Sequence, residues 1–471
     1  MARGLFLLAC LAAGLPSLGH AHGLLRRSSP AAGDTLSVAP RELRLAFSEP
    51  VQLPFVRVEL LGPGDVSVQL AALITAADSP QVVIASLPQA LPAAGAYMVR
   101  WQAAGRDGHP VRGSFEFVVQ AGAAGLAAAP AATPPPTVTH HDPATFPESR
   151  GFDAGSPGYV AVRWLTYIAL LAALGLVAFR FLVLPRAGAN AVTARAAEAT
   201  RQTWPWVLGL LLLALLFRLG AQSLAMSGSP VPAGETASML TRTTWGWGWL
   251  LQAAGTLLAL IGWLWARRSV AGWGLLAAAV LVLAWAPALS GHAAASPRPL
   301  LSVLMDGLHV LGAGGWLGGL LAMITIGIPA AWRLGPDERG SAVAALFWAF
   351  SPTALVFAGL VALTGVYAAW LHLGSVPALW QSTYGQVLLI KLGVLTLVAG
   401  TGAYNWRRVL PALGNDTATR RLRRSAGFEL AVGAVVLLVT AVLVATSPPA
   451  DTDQMARHDA APIYTNSEST P

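Results

Sequence analysis

A cut after Ala21 would make a histidine the first residue of this chain. Met1 to Ala21 reads as a secretory signal peptide: Arg3, an apolar run from Leu5 to Leu15, then Gly19-His20-Ala21 as a small-x-small cleavage site. His22 would then offer one metal ion two nitrogens, its α-amine and its imidazole. An α-amine with a pKa near ~8 yields its proton readily to a metal at neutral pH. Further along, Asp107-Gly108-His109 supplies another imidazole with a carboxylate beside it. Three nitrogens with a nearby carboxylate suit the tetragonal preference of cupric copper. The plainer reading of His109 is a loop histidine, because Gly108 and Pro110 make its surroundings a turn. The sequence does not say whether residues 22 and 109 meet.

A second set of donors lies in the apolar half of the chain. His292 follows one long apolar run, and His372 ends another. Asp306 and His309 lie inside a third, three residues apart and so on one helix face. Ionisable groups inside a bilayer are costly and mark function by default. Together the four make a candidate copper site toward the outer side of the membrane. Lys391 could instead tie up Asp306 as a structural ion pair, and both readings stand. Arg180, Asn405 and Glu429 suggest a second polar cluster near the inner side, with Glu429 read as the counter-ion of an arginine. His140-His141-Asp142 falls in a stretch that reads as solvated linker, or as a transient waypoint for copper.

The elements that must position these groups follow from composition. Only 11% of residues are charged and 55% are hydrophobic, which is a membrane protein's balance. Residues 22–120 nonetheless read as a soluble domain. Alternating runs such as Leu43-Leu45-Phe47, Val56-Val58-Leu60, Tyr97-Val99-Trp101 and Phe115-Phe117-Val119 predict about seven strands in an immunoglobulin-like β-sandwich. Tyr97, Val99 and Trp101 are expected on its core face. Residues 121–157, rich in Ala and Pro, read as a semi-stiff linker. The segment 158–448 reads as an all-α membrane domain and 449–471 as a periplasmic tail.

Eight spans are expected, at about 159–184, 204–226, 244–266, 269–290, 301–329, 345–370, 385–409 and 425–447. A secreted amino-terminal domain makes the first span enter from outside. The loop charges agree independently. Arg186, Arg195, Arg201, Arg267, Arg268, Arg333, Arg339, Arg407, Arg408, Arg420, Arg421, Arg423 and Arg424 fall in the predicted inner loops. Only Arg242, Arg298 and Arg457 fall outside. This distribution also accounts for the net charge of +8 without a nucleic-acid partner. The one cysteine, Cys10, lies in the signal peptide, so thiolate metal sites and disulfides are not expected. No P-loop appears, so no nucleotide partner is expected and movement of an ion would be passive or gradient-coupled.

These residues resemble a known pair of families. His22-Gly-Leu-Leu, Ser29-Pro30-Ala31-Ala32-Gly33, Phe47-Ser48-Glu49-Pro50-Val51 and Asp107-Gly108-His109-Pro110 are similar to the periplasmic CopC copper-binding family. Ser290-Gly291-His292-Ala293, Asp306-x-x-His309 with Gly314-Gly315-Trp316-Leu317-Gly318-Gly319, Thr364-Gly365 and Tyr384-Gly385 with Lys391 resemble CopD. The resemblance implies a sandwich that binds Cu(II) through His22 and His109 with Asp107 close by. It also implies an eight-span partner in a bacterial inner membrane, linked to copper uptake or resistance. Met98 is the sandwich's one methionine, so a separate cuprous site of the methionine-rich kind is not expected. The resulting expectation is a non-enzymatic copper carrier. A copper-brace redox enzyme, or a sequestering or sensing protein without transport, would use the same ligands.

Overall fold

The computed structural model describes residues 25–48, 51–77, 79–87, 90–104, 110–124, 152–227, 233–296, 298–409, 416–446 and 449. The segments read from sequence as signal peptide, linker and tail lie mostly outside them. Two compact units are formed. One is the β domain together with Gln222–Gly246, and the other is the remaining helical part.

The β unit has nine strands in two sheets among the described residues. They are β1 (Leu25–Ser29), β2 (Thr35–Val38), β3 (Glu42–Phe47), β4 (Arg57–Gly62), β5 (Val66–Val68), β6 (Ile74–Ala76), β7 (Ser79–Ser86), β8 (Gly95–Ala104) and β9 (Pro110–Ala124). One sheet runs β1-β3-β7-β6 and the other β2-β9-β8-β4-β5. All pairings are antiparallel except β2 with β9. Strict alternation on β8 turns Tyr97, Val99, Trp101 and Ala103 inward, where all four are buried. Tyr97 stacks on Phe117 and Trp101 meets Phe47 edge to face, each pair with centroids 5.5 Å apart. Burial raises the pKa of the Tyr97 hydroxyl above its ordinary value. The Trp101 ring lies across Gly113 of the neighbouring strand, where a Cβ would stand 2.5 Å from Cζ2. The expected sandwich is therefore present, with two more strands than the alternating runs suggested. The three-residue strands β5 and β6 are too short to carry a period. At the other boundary, residues 121–124 continue β9 rather than begin the linker, since Ala124 still pairs with Val38.

Among the described residues, eight helices are long and apolar enough to cross a membrane. They are Pro157–Val183, Ala191–Met226, Thr244–Ala266, Val270–Leu289, Pro299–Trp332, Asp337–Leu373, Thr383–Arg408 and Arg424–Leu443. The second span begins at Ala191, well ahead of the expected 204. Its first turns are polar but rich in Ala, and Arg201 closes a bidentate pair with Glu198 at 2.7 and 2.8 Å. Helix propensity extends this helix beyond its apolar stretch.

The first and fifth spans are the most enclosed, and the sixth and seventh the least. The overlapping Gly314/Gly318 and Gly315/Gly319 pairs face two different neighbours. A Cβ on Gly318 would stand 2.0 Å from the Leu171 carbonyl oxygen, and one on Gly314 would stand 2.4 Å from Leu174 Cβ, both on the first span. Gly315 and Gly319 lie instead against Phe357 and Phe350 of the sixth span. Gly175 returns the contact, since a Cβ there would meet the Gly318 backbone at 2.1 Å. Small residues thus bring the first and fifth backbones together and make room for the Phe357 and Phe350 rings of the sixth span, directly beyond His309. Gly318→Val is expected to lower the thermal midpoint of the detergent-solubilised protein, with an overpacking cost of about 1–3 kcal/mol or more. Gly359→Ala, where the new Cβ meets nothing within 4 Å, is the control. Equal midpoints for the two variants would refute the close-approach account.

Candidate metal centres

His22, Asp107 and His109 lie outside the described residues, but the segments leading to them do not. Leu25, three residues after His22, opens β1 opposite Phe47. Phe47 packs on Trp101, and the Gln52 amide donates to the Ala104 carbonyl at 2.9 Å. Ala104 pairs with Pro110, so the segment carrying Asp107 and His109 joins the last pair of the β8–β9 ladder. Leu25, Phe47, Trp101, Ala103 and Val111 share one apolar cluster. The start of β1 and the β8–β9 connection therefore lie at the same end of the sandwich.

In the helical unit, His309 and Asp306 lie on adjacent turns of the fifth span and are both half-buried. His309 Nδ1 is 2.9 Å from Thr364 Oγ1 on the sixth span, and Thr364 is 1% exposed. Gly365 flanks the same ring, since a Cβ there would lie 3.4 Å from His309 Cε1. Lys391 on the seventh span acts electrostatically on both Asp306 and His309, yet among the described residues it closes no ion pair with Asp306. The sequence left Asp306 between ligand and ion-pair member. Among the described residues its carboxylate has no hydrogen bond or ion pair, only the field of Lys391.

Around this pair runs a wider polar network. Tyr167 of the first span feels the charges of Arg163, Asp306 and Arg218. Arg163 donates to the Ala441 carbonyl at 3.0 Å and lies 4.9 Å above the Tyr159 ring. Arg218 hydrogen-bonds Gln252 of the third span. Tyr167 and Gln252 were not anticipated from sequence. Single polar residues in apolar runs carry no periodic signal.

Of the other two expected ligands, His372 stands apart. His372 lies two turns beyond Thr364 on the sixth span, ~12 Å along the axis at ~1.5 Å per residue. Its ring neighbours Tyr384 at 5.8 Å, and its Nδ1 is buried. His292 opens a short helix, His292–Ala295, whose following Ser296 bonds Ser302 of the fifth span at 2.8 Å. The His292 side chain is outside the described set. Among the described residues no three His, Asp or Glu side chains gather in ligand geometry. Among the described residues, the members of the expected cluster are an Asp306–His309 pair and a separate His372. Sequence position fixes depth along a helix but not which neighbour the residue faces.

The second polar cluster also changes its membership. The Asn405 amide donates to Glu429 Oε2 at 3.2 Å, beside Gly402. Arg180, the arginine of that expected cluster, lies instead over the rings of Trp273 at 5.3 Å and Phe181 at 5.9 Å. Among the described residues no arginine pairs with Glu429.

Three family models match. The CopC domain covers residues 25–120, the Copper resistance protein D-like N-terminal domain covers 153–298, and Copper resistance protein D covers 344–443. Copper resistance protein C of Escherichia coli is 31% identical over 106 residues, spanning 21% of this chain and 82% of that protein. The chain belongs to the copper-resistance family as a CopC–CopD fusion. Copper transport protein CutJ of Bacillus subtilis (strain 168) is 27% identical over 449 residues, 92% of this chain and 76% of its own length. Copper resistance protein D of Pseudomonas syringae pv. tomato is 28% identical over 316 residues, 62% of this chain and 97% of its own length. In this CopC–CopD fusion the Asp306–His309 pair falls between the two CopD-type matches. His292 lies within the first and His372 within the second.

Proposed function

We propose that the sandwich captures Cu(II) on the periplasmic side of a bacterial inner membrane and hands it to the helical unit, which moves it inward. Capture uses the α-amine and imidazole of His22, the imidazole of His109 and the carboxylate of Asp107. In support, the strand leading from His22 and the ladder leading to His109 share one end of the sandwich. The names of the relatives, given for copper transport and copper resistance, agree with this cargo.

The observation that carries the membrane half is the Asp306–His309 pair, held against Thr364 inside an apolar bundle and within the field of Lys391. A bilayer makes such a pair expensive, and a cation passing between the spans repays the cost. With the periplasmic side outward, the donors form a descending series. His372 stands near the surface, Asp306 a turn above His309, and His309 deepest. A staggered series suits passage better than a closed cage, because each step holds the ion weakly enough to release it. Covalent linkage of sandwich and bundle keeps the captured ion at high effective concentration over the entry.

Proteoliposomes holding the full chain, with copper outside and a chelating indicator inside, are expected to accumulate copper faster than protein-free vesicles. Equal rates would remove transport and leave sequestration. Sequestration would then appear as copper bound to the protein with none in the lumen.

A further inference from the structure

The hydrogen bonds of Thr364 decide which nitrogen of His309 is available as a ligand. A hydroxyl has one hydrogen to give and two lone pairs to accept with. Thr364 Oγ1 donates back along its own helix to the Leu360 carbonyl at 2.7 Å, with the Val361 carbonyl at 3.3 Å. Its single hydrogen is therefore committed to the backbone, and toward His309 it presents a lone pair. The Nδ1 atom, 2.9 Å away, is then placed as the donor, and the Val361 carbonyl, which Thr364 Oγ1 also approaches, is a second acceptor for the His309 ring. The reverse arrangement, with the hydroxyl donating to an unprotonated Nδ1, would give up the bond to Leu360 and leave one hydrogen bond where the first arrangement has two. In a neutral imidazole one nitrogen carries the proton and the other the lone pair.

We propose that Thr364 is a positioning residue that holds His309 as its Nδ1–H tautomer and so leaves Nε2 as the nitrogen that takes copper. Gly365 contributes by leaving room for the Cε1 edge of the ring, where a Cβ would already stand at 3.4 Å. The sixth span thereby fixes both the proton and the plane of the imidazole before any ion arrives. Outer partners of this kind raise ligand basicity and remove the cost of orienting the ring, and losing them typically weakens a metal site about 10- to 100-fold. The role assigned to copper rests on the proposed transport function; the tautomer does not.

The test uses the full chain in lipid nanodiscs with ¹⁵N-ring-labelled histidine, the His309 signals being assigned by their disappearance in His309→Ala. The metal-free protein is expected to give the protonated-Nδ1, unprotonated-Nε2 pattern. Thr364→Val, which removes the acceptor at nearly constant volume, is expected to abolish that preference and to slow copper uptake by proteoliposomes about 10- to 100-fold. Thr364→Ser, which keeps the hydroxyl, is expected to restore both. A protonated Nε2 in the wild-type protein overturns the proposal and leaves the copper site at His309 intact. An unchanged ring pattern or unchanged uptake in Thr364→Val overturns it too. Unchanged uptake in His309→Ala instead removes the membrane copper site itself, while the ring pattern still reports the tautomer.

Discussion

One extra residue placed ahead of His22 is expected to weaken Cu(II) capture about a hundred- to ten-thousandfold. The insertion turns the α-amine into an amide. The imidazole of His22 remains but loses the second nitrogen that closes its chelate ring. Linking two donors on one residue converts the second binding event into an intramolecular one, a gain typically worth 10²–10⁴. The pH dependence of affinity should change as well. Copper must displace the proton of an α-amine with a pKa near ~8, so native affinity should fall as pH drops below that value. The extended protein should lack that slope and weaken only near ~6.5, where its imidazoles protonate. Titration of the full chain against a competing chelator measures both effects. Identical affinities and slopes for the two proteins would remove the amino terminus from the site. Leu25 keeps its place opposite Phe47 in either case, so the sandwich itself should melt at the same temperature.

The elements that sequence predicts well are those with a period or a length. Tyr97, Val99 and Trp101 share a core face because a strand cannot place alternate residues otherwise. The eight spans emerge because a bilayer demands about twenty apolar residues in a row. The small-xxx-small pairs of the fifth span were visible as packing surfaces, though not as surfaces for two separate helices. Azimuth was not legible. Asp306 and His309 share a face by spacing alone, but the meeting of His309 with Thr364 spans 55 positions of sequence. That contact depends on how the fifth and sixth spans rotate about each other. The same blindness placed His372 in one cluster with them. The reading of Glu429 as an arginine's counter-ion finds no such partner among the described residues for a related reason. A charge in an apolar run was assumed to seek the opposite charge, whereas the faces of Trp273 and Phe181 provide for Arg180.

His309→Ala is expected to bring copper uptake by proteoliposomes down to the protein-free rate while leaving Cu(II) capture by the sandwich unchanged. The two sites belong to separate compact units, and distant substitutions act independently. Loss of one imidazole leaves only Asp306 at this depth, and a lone carboxylate competes poorly with water for Cu(II). The substitution also removes the partner of Thr364 Oγ1. The cost is small, because the hydroxyl keeps its bond to Leu360. The bundle should therefore survive, held by Gly314, Gly315, Gly318 and Gly319 against the first and sixth spans. Asp306→Asn separates the two roles open to the carboxylate. As a ligand, Asp306 would lose uptake without loss of stability, because Asn keeps the volume and an oxygen donor but not the charge. As the electrostatic partner of Lys391, it would lose stability first, and Lys391→Met in the same protein would restore it. Thermal melting of the single and double variants, read beside their uptake rates, distinguishes the two. The missing ion pair between these side chains favours the ligand role, so Asp306→Asn should melt with the native protein and transport with His309→Ala.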